Sequence, residues 1–305
     1  IDVWDMGAVQ EADTSKYNNN ITASDWDSCA NVSQAGKFVA GETTFGDLTI
    51  NHIANDRLFS TSSKNYGTNA LATTAYDDGY TAGGMYYCNG TGGETRRNVT
   101  INNVIAGDKI VVYMASSNAA TGTLVFKYLG EDNEQVEKAS FTNKGTKYEF
   151  VAKYSGSYKV YTDAAAGKPI YNRIVRIPGV AVSGTIDGAQ LSGYKVMFKD
   201  EANGITYDAD IKGNTFTATL AAGCNYTAVL SGVAGYGFSN ATKNISTTVD
   251  EALTGKSGVT LSIEEKKVYT YTGKVTGFAA DYDTSNLSVK LVADSSSLAD
   301  DVILK

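Results

Sequence analysis

Between Tyr76 and Arg97 the chain concentrates side chains suited to holding a sugar. Tyr76, Asp77 and Tyr80 are followed by Tyr86, Tyr87 and Asn89, and then by Arg96 and Arg97. Pyranose recognition sets a flat aromatic face against the C–H side of the ring. Carboxylates, amides and guanidinium groups then exchange hydrogen bonds with the hydroxyls at the rim. Gly83, Gly84, Gly92 and Gly93 interleave the set, and a residue without a side chain lets backbone approach a ligand closely. Trp26, flanked by Asp25 and Asp27, is a second candidate platform. Packing is the competing reading, since Tyr86 and Tyr87 are neighbours in a strand-like run and would face opposite ways. Trp4 lies in such an alternation and is assigned to the core.

Other chemistries find less to work with. His52 is the one histidine, and no G-x-S-x-G elbow accompanies it, so neither a hydrolase triad nor a zinc site has its parts. His52 reads as structural. Asp77, Asp78 and Gly79 offer oxygens to a hard cation such as Ca²⁺, but fall short of the full acidic loop. Asp56 and Arg57 read as a surface ion pair of little energetic weight. Glycosidase chemistry needs two carboxylates ~5–10 Å apart, yet no segment has the size or pattern of a catalytic cleft, and the expectation is a non-catalytic chain. Cys29, Cys88 and Cys224 fit no metal spacing; Cys29 and Cys88 are near enough in sequence to pair, with buried thiols the default.

The elements that must position these residues are strands. Gly (31) and Tyr (20) are abundant and Pro nearly absent (2), a mix that favours short strands joined by Gly, Asn and Asp turns. The clearest runs are Asn98–Val104, Lys109–Ala115, Thr123–Leu129, Lys147–Lys153, Ser157–Tyr161 and Asn172–Ile177, with Lys109–Ala115 read as half-buried. Asp2–Ala8 reads as an edge strand, and Ser24 with Asp27 has the shape of a capping box opening one or two helical turns. Strands every 10–20 residues describe a sandwich or jelly roll. After Pro178 the texture changes to shorter runs. A Gly-x-hydrophobic opening at Gly184 recurs at Gly273, 89 residues on, which reads as the start of a repeat.

The length of 305 residues implies two or three domains. A net charge of −7 speaks against nucleic acid, whose binding rests on Lys and Arg contacts to phosphate. No apolar run approaches the ~20 residues of a membrane span. The absence of an initiating Met points to an export signal removed or left out. The short second copy at the end points to a protein that continues past Lys305.

Two family resemblances fit this layout. The run from Gly107 through Tyr113, the run Gly156–Tyr161, and the closing Ile174–Ile177 resemble the second half of jelly-roll carbohydrate-binding modules. With the opening Val3–Ala8 and Lys16–Asn19, residues 1–178 are similar to accessory modules of starch- and pectin-degrading surface proteins of gut Firmicutes. Residues 179–263 and 264–305 resemble prealbumin-like or collagen-adhesin B-type immunoglobulin-like repeats. These resemblances imply an all-β architecture, a jelly-roll-like β-sandwich followed by immunoglobulin-like β-sandwich modules, the last one truncated. They also imply an extracellular, secreted or surface-attached protein that binds a polysaccharide or oligosaccharide beside other domains or enzymes of a surface complex. The acidic balance favours a neutral glucan such as starch over pectin, bound by aromatic stacking within residues 1–178. A structural or adhesive stalk that binds another protein is the alternative.

Overall fold

From Asn98 to Ile177, β-branched and aromatic residues fill the runs between Gly, Asn and Asp turns, and a computed structural model folds those runs into strands. It describes residues 1–117, 122–131, 134–163, 167–239 and 244–266, together with the strands Val289–Leu291 and Val302–Leu304, which pair antiparallel. The remainder of the repeat opening at Gly273 lies outside the described residues. Contacts divide the chain into two units, Ile1–Lys266 and Lys267–Lys305. The protein is all-β.

The first sandwich begins with β1 (Asp2–Asp5), β2 (Asn18–Asn19), β3 (Gly41–Phe45), β4 (Leu48–His52), β5 (Arg57–Phe59) and β6 (Met85–Tyr87). It continues with β7 (Asn98–Val104), β8 (Lys109–Ser116), β9 (Gly122–Tyr128) and β10 (Val136–Phe141). It closes with β11 (Thr146–Val151), β12 (Gly156–Asp163) and β13 (Pro169–Ile177). One sheet runs β11-β8-β13-β1-β2, with β6 also on β13 and β5 on β6; the other runs β10-β9-β12-β7-β4-β3. Their inner faces share a core in which Trp4, Trp26, Phe126, Tyr158 and Ile174 are fully buried. Phe126 stacks on Phe150 at 4.8 Å and on Tyr158 at 4.5 Å, a geometry aromatic pairs favour.

The second sandwich comprises β14 (Val180–Gly188), β15 (Lys195–Asp200), β16 (Ile205–Asp208), β17 (Asp210–Lys212) and β18 (Thr215–Leu220). To these it adds β19 (Asn225–Ser231), β20 (Tyr236–Phe238), β21 (Asn244–Ser246) and β22 (Lys256–Glu265). Its sheets run β17-β18-β14-β22-β20 and β16-β15-β19-β21. Among the described residues no sheet joins strands from both sides of Pro178–Gly179, but the two sandwiches belong to one compact unit. Val151 of the first buries against Ile205 and Ala221 of the second, and Lys16 pairs with Asp250.

Three local expectations change. Asp2–Asp5 is not an edge: it pairs with β13 on one side and with the two-residue β2 on the other. The helix α1 (Ala23–Ser28) exists, but its capping box is Thr22 with Asp25, two residues before the expected pair. Thr22 Oγ1 accepts from Asp25 N at 3.2 Å and the Asp25 carboxylate accepts from Thr22 N at 2.7 Å. That register points Trp26 inward. Strand β8, expected to be half-buried, is buried at every position, because its outer face is covered as well.

Polar groups inside are held by partners. His52, 1% exposed, bonds Val39 O through Nδ1 (2.7 Å) and Thr43 Oγ1 through Nε2 (2.9 Å), so both ring nitrogens are committed to the fold. Burial lowers its pKa against the pull of the Val39 carbonyl. All three cysteines are free thiols, Cys88 buried and Cys29 against Thr43. Arg176 ties both sheets to the N-terminus. Its Nε donates to Asp2 at 2.7 Å, and its terminal nitrogens donate to Asp47 at 2.7 Å and to Asn102 O at 2.9 Å. Although partial burial works the other way, the Arg176 bond and charge, with the Asn103 amide, hold the Asp47 carboxyl below its ordinary value. Arg176→Ala is expected to cost about 2 kcal/mol. That is less than the ~3–5 kcal/mol of a fully buried broken pair, since both partners keep some water. Urea unfolding at pH 7 checks this; an unchanged midpoint contradicts it.

Candidate functional site

The aromatic run of residues 76–97 does not form one surface. The structure divides it into a buried carboxylate hub and a lined cleft.

The hub is Asp56, with no exposed surface. One carboxylate oxygen accepts from Asn89 N at 2.9 Å and Arg97 Nε at 2.8 Å; the other accepts from Ile53 N at 2.9 Å and Tyr86 OH at 3.0 Å. Tyr86 is fully buried and stacks on Tyr171. Three predicted ligand contacts, Tyr86, Asn89 and Arg97, thus serve a structural centre. Asp56 does not pair with Arg57 at the surface; its partner is Arg97. Arg57 lies over the rings of Tyr66 (4.4 Å) and Tyr87 (5.3 Å). Tyr87 is 8% exposed, edge-on to Phe59. Arg96 is exposed and donates to Thr91 Oγ1 at 3.3 Å.

Trp26 offers no platform. It is fully buried, its indole Nε1 donates to Met6 O at 3.1 Å, and its ring packs edge-on against Phe38 and Phe45. Gly84 serves packing: a Cβ there would stand 2.2 Å from Phe59 O and 2.3 Å from Gly7 Cα. Two backbones cross at that point, and no space is left for a ligand.

The cleft forms on the outer face of the β8–β13 sheet, where Tyr76, Tyr80 and Ala82 fold back over Val3, Val111, Tyr113 and Val175. Tyr76, 5% exposed, donates its OH to Asn172 Oδ1 at 2.7 Å. Tyr80 stacks on Tyr76 with ring centres 5.5 Å apart, and the Arg173 guanidinium lies over Tyr80 at 4.6 Å. Tyr113 meets Tyr76 and Tyr80 edge-on at 5.0 and 4.9 Å. Rings so engaged leave no broad stacking face, contrary to the expectation from the sequence.

Polar chemistry fills the cleft. Tyr80 OH donates to Asp5 Oδ2 and Tyr113 OH to Asp78 Oδ2, each at 2.7 Å. Lys147 Nζ stands 3.6 Å from Asp78 and 2.9 Å from Glu149, and Lys109 Nζ is 3.3 Å from Glu149. Arg173, 8% exposed, pairs with Glu11, while its Nε–H has no acceptor. Burial raises the Asp5 pKa against the Tyr80 bond and the Arg173 charge. At Asp78 desolvation is outweighed by the Tyr113 hydroxyl, the Tyr80 amide and Lys147, and the carboxyl sits below its ordinary value. Burial raises the phenols of Tyr80 and Tyr113 well above their usual range, so both remain donors. The cleft has a volume of about 660 Å³, and Tyr17, Gly223 and Val249 line it with these groups.

Of the expected site residues, only Tyr80 lines this cleft; Tyr76 supports it from behind, and Asp77 is exposed beside it. Sequence reasoning missed Asp5, Tyr17, Tyr113, Lys147, Glu149 and Arg173. One signal was present in β8 and β13: Lys109, Val111 and Tyr113, and Arg173, Val175 and Ile177, repeat at a spacing of two on the face away from the core. For Ca²⁺, Asp78 is committed to Tyr113 and Lys147. Among the described residues, no cluster of three or more His, Cys, Asp and Glu side chains is placed to hold a metal ion. No helix among them is long and apolar enough to cross a membrane. No protein-family model matches the chain, and a search of curated proteins finds no significant similarity.

Proposed function

We propose that this chain is a non-catalytic glycan-binding segment of a secreted or cell-surface protein, and that a neutral polysaccharide such as starch occupies the cleft around Tyr80 and Tyr113. The cleft's balance of charge supports this. Glu11, Asp78 and Glu149 pair with Arg173, Lys147 and Lys109, and Asp5 accepts from the Tyr80 hydroxyl. A sugar hydroxyl both donates and accepts, so it fits beside a carboxylate and an ammonium without breaking their pairing. A polyanion would have to displace the carboxylates. The volume lies within the ~300–1,000 Å³ of small-ligand sites, and Tyr17, Tyr80 and Val249 supply the apolar portion.

A protein-binding stalk would call for a contiguous apolar surface. Among the described residues the exposed large apolar side chains are instead Val39, Ile105, Leu129 and Val136 on the first sandwich, Leu253 on the second, and Val9 and Val249 at the cleft.

Titration calorimetry with neutral oligosaccharides tests the reading. Lys147→Ala and Tyr17→Ala, which alter the cleft and leave the core intact, are each expected to weaken binding about tenfold, the effect of losing ~1.4 kcal/mol of contact. Affinity is expected to change little between low and physiological salt, because a neutral ligand brings no charge to screen. Unchanged affinity in both variants contradicts the site. A collapse of affinity with added salt makes the ligand anionic, and a pectic glycan then replaces the neutral one.

A further inference from the structure

A second cleft adjoins the first. Its volume is about 680 Å³, and Lys199, Asp200, Glu201, Asn203 and Tyr226 of the second sandwich line it. Lys109 and Glu149 line both clefts. They are paired at 3.3 Å on neighbouring strands β8 and β11, so they form a polar rib between the two hollows. The rib is fixed from the other side as well. The Gly223 turn of the second sandwich (φ 67°) stands so close that a Cβ there would lie 3.3 Å from Lys109 Nζ. Asp200, 1% exposed, accepts from Asn203 N at 3.1 Å and Asn203 Nδ2 at 2.7 Å. The turn that presents Lys199, Glu201 and Asn203 is therefore built and does not depend on a ligand for its form.

Given the glycan reading of the first cleft, on which this rests, we infer that the binding site runs across the junction and takes an extended chain of several sugar units. One end lies over Tyr80 and Tyr113, the middle crosses the exposed Glu149, and the other end meets Lys199 and Glu201. Three observations carry it. Each hollow alone has the volume of a small-ligand site, so the pair exceeds what one small ligand fills. Both mix carboxylates with ammonium groups, so a repeating neutral polymer meets the same chemistry twice. And the Glu149 carboxylate, with 42% of its side chain exposed, belongs to both, so a chain crossing there keeps a hydrogen-bonding partner, while the buried Lys109 holds that carboxylate in place. Binding is then a property of both sandwiches, in contrast to the expectation that residues 1–178 suffice.

The experiment is calorimetry on the full chain with neutral oligosaccharides of the α-glucan, β-glucan and xylan series, each as trisaccharide and hexasaccharide. The hexasaccharide of the binding series is expected to bind about tenfold tighter than its trisaccharide, the second set of contacts being engaged at high effective concentration. Lys199→Ala and Glu201→Ala are each expected to reduce that advantage severalfold while leaving the trisaccharide unchanged. Equal affinity for the two lengths, or an undiminished advantage in both variants, overturns the extended site and leaves the first cleft standing. Binding by no member of any series overturns the glycan reading and the extension with it.

Discussion

Asp56→Ala is expected to lower the stability of the Ile1–Lys266 unit by about 3–5 kcal/mol, the cost of breaking a buried ion pair by removing one partner. The carboxylate is fully buried and accepts four hydrogen bonds, from Ile53 N, Tyr86 OH, Asn89 N and Arg97 Nε. Alanine leaves a guanidinium with 11% of its side chain exposed facing no anion, a phenol with only the longer bond to Asn51 O at 3.3 Å, and two loop amides unpaired. Asp56→Asn keeps the shape and an acceptor but loses the charge, and is expected to fall between wild type and alanine. Urea unfolding at pH 7 measures both. A loss under 1 kcal/mol for alanine would show that water replaces the hub at little cost.

Trp26→Ala is expected to destabilise by about 3–5 kcal/mol, the range for truncating a buried large aromatic. The ring fills the space between Phe38 and Phe45, and its indole N–H satisfies Met6 O. The informative part is the contrast with Lys147→Ala. Trp26 has no exposed face, so the folded fraction of Trp26→Ala should bind glycan with wild-type affinity. Lys147→Ala should fold with near wild-type stability and bind weakly. The reverse pattern would return the site to the Trp26 helix.

Strands β7, β8, β9, β11, β12 and β13 were legible because period-two alternation and Gly-Asp or Ser-Gly turns coincide there; β10 (Val136–Phe141), which pairs with β9, was not, its run being mostly polar. The cover on β8 was not: Lys109, Val111 and Tyr113 look like an exposed face until Tyr76 and Tyr80, distant in sequence, fold onto it. Asp56–Arg57 misled for a related reason. Neighbours on a strand point apart, and the true partner, Arg97, lies 41 residues away. The helix at Trp26 was anticipated, but its register follows Thr22 rather than Ser24, and a shift of two residues turns the indole from solvent into the core. Aromatic density between residues 76 and 97 located one edge of the cleft, through Tyr80. The remainder comes from Asp5, Tyr17, Tyr113, Lys147, Glu149 and Arg173, which only the sheet order β11-β8-β13-β1-β2 brings together.

Affinity electrophoresis in gels containing starch, β-glucan, xylan or pectin tests the central claim most directly. The wild-type chain is expected to be retarded by at least one neutral polysaccharide, at low and physiological salt alike, and the double variant Tyr17→Ala/Lys147→Ala to migrate as in a plain gel. Retardation of the double variant equal to wild type, or of neither protein by any neutral polysaccharide, would contradict the account.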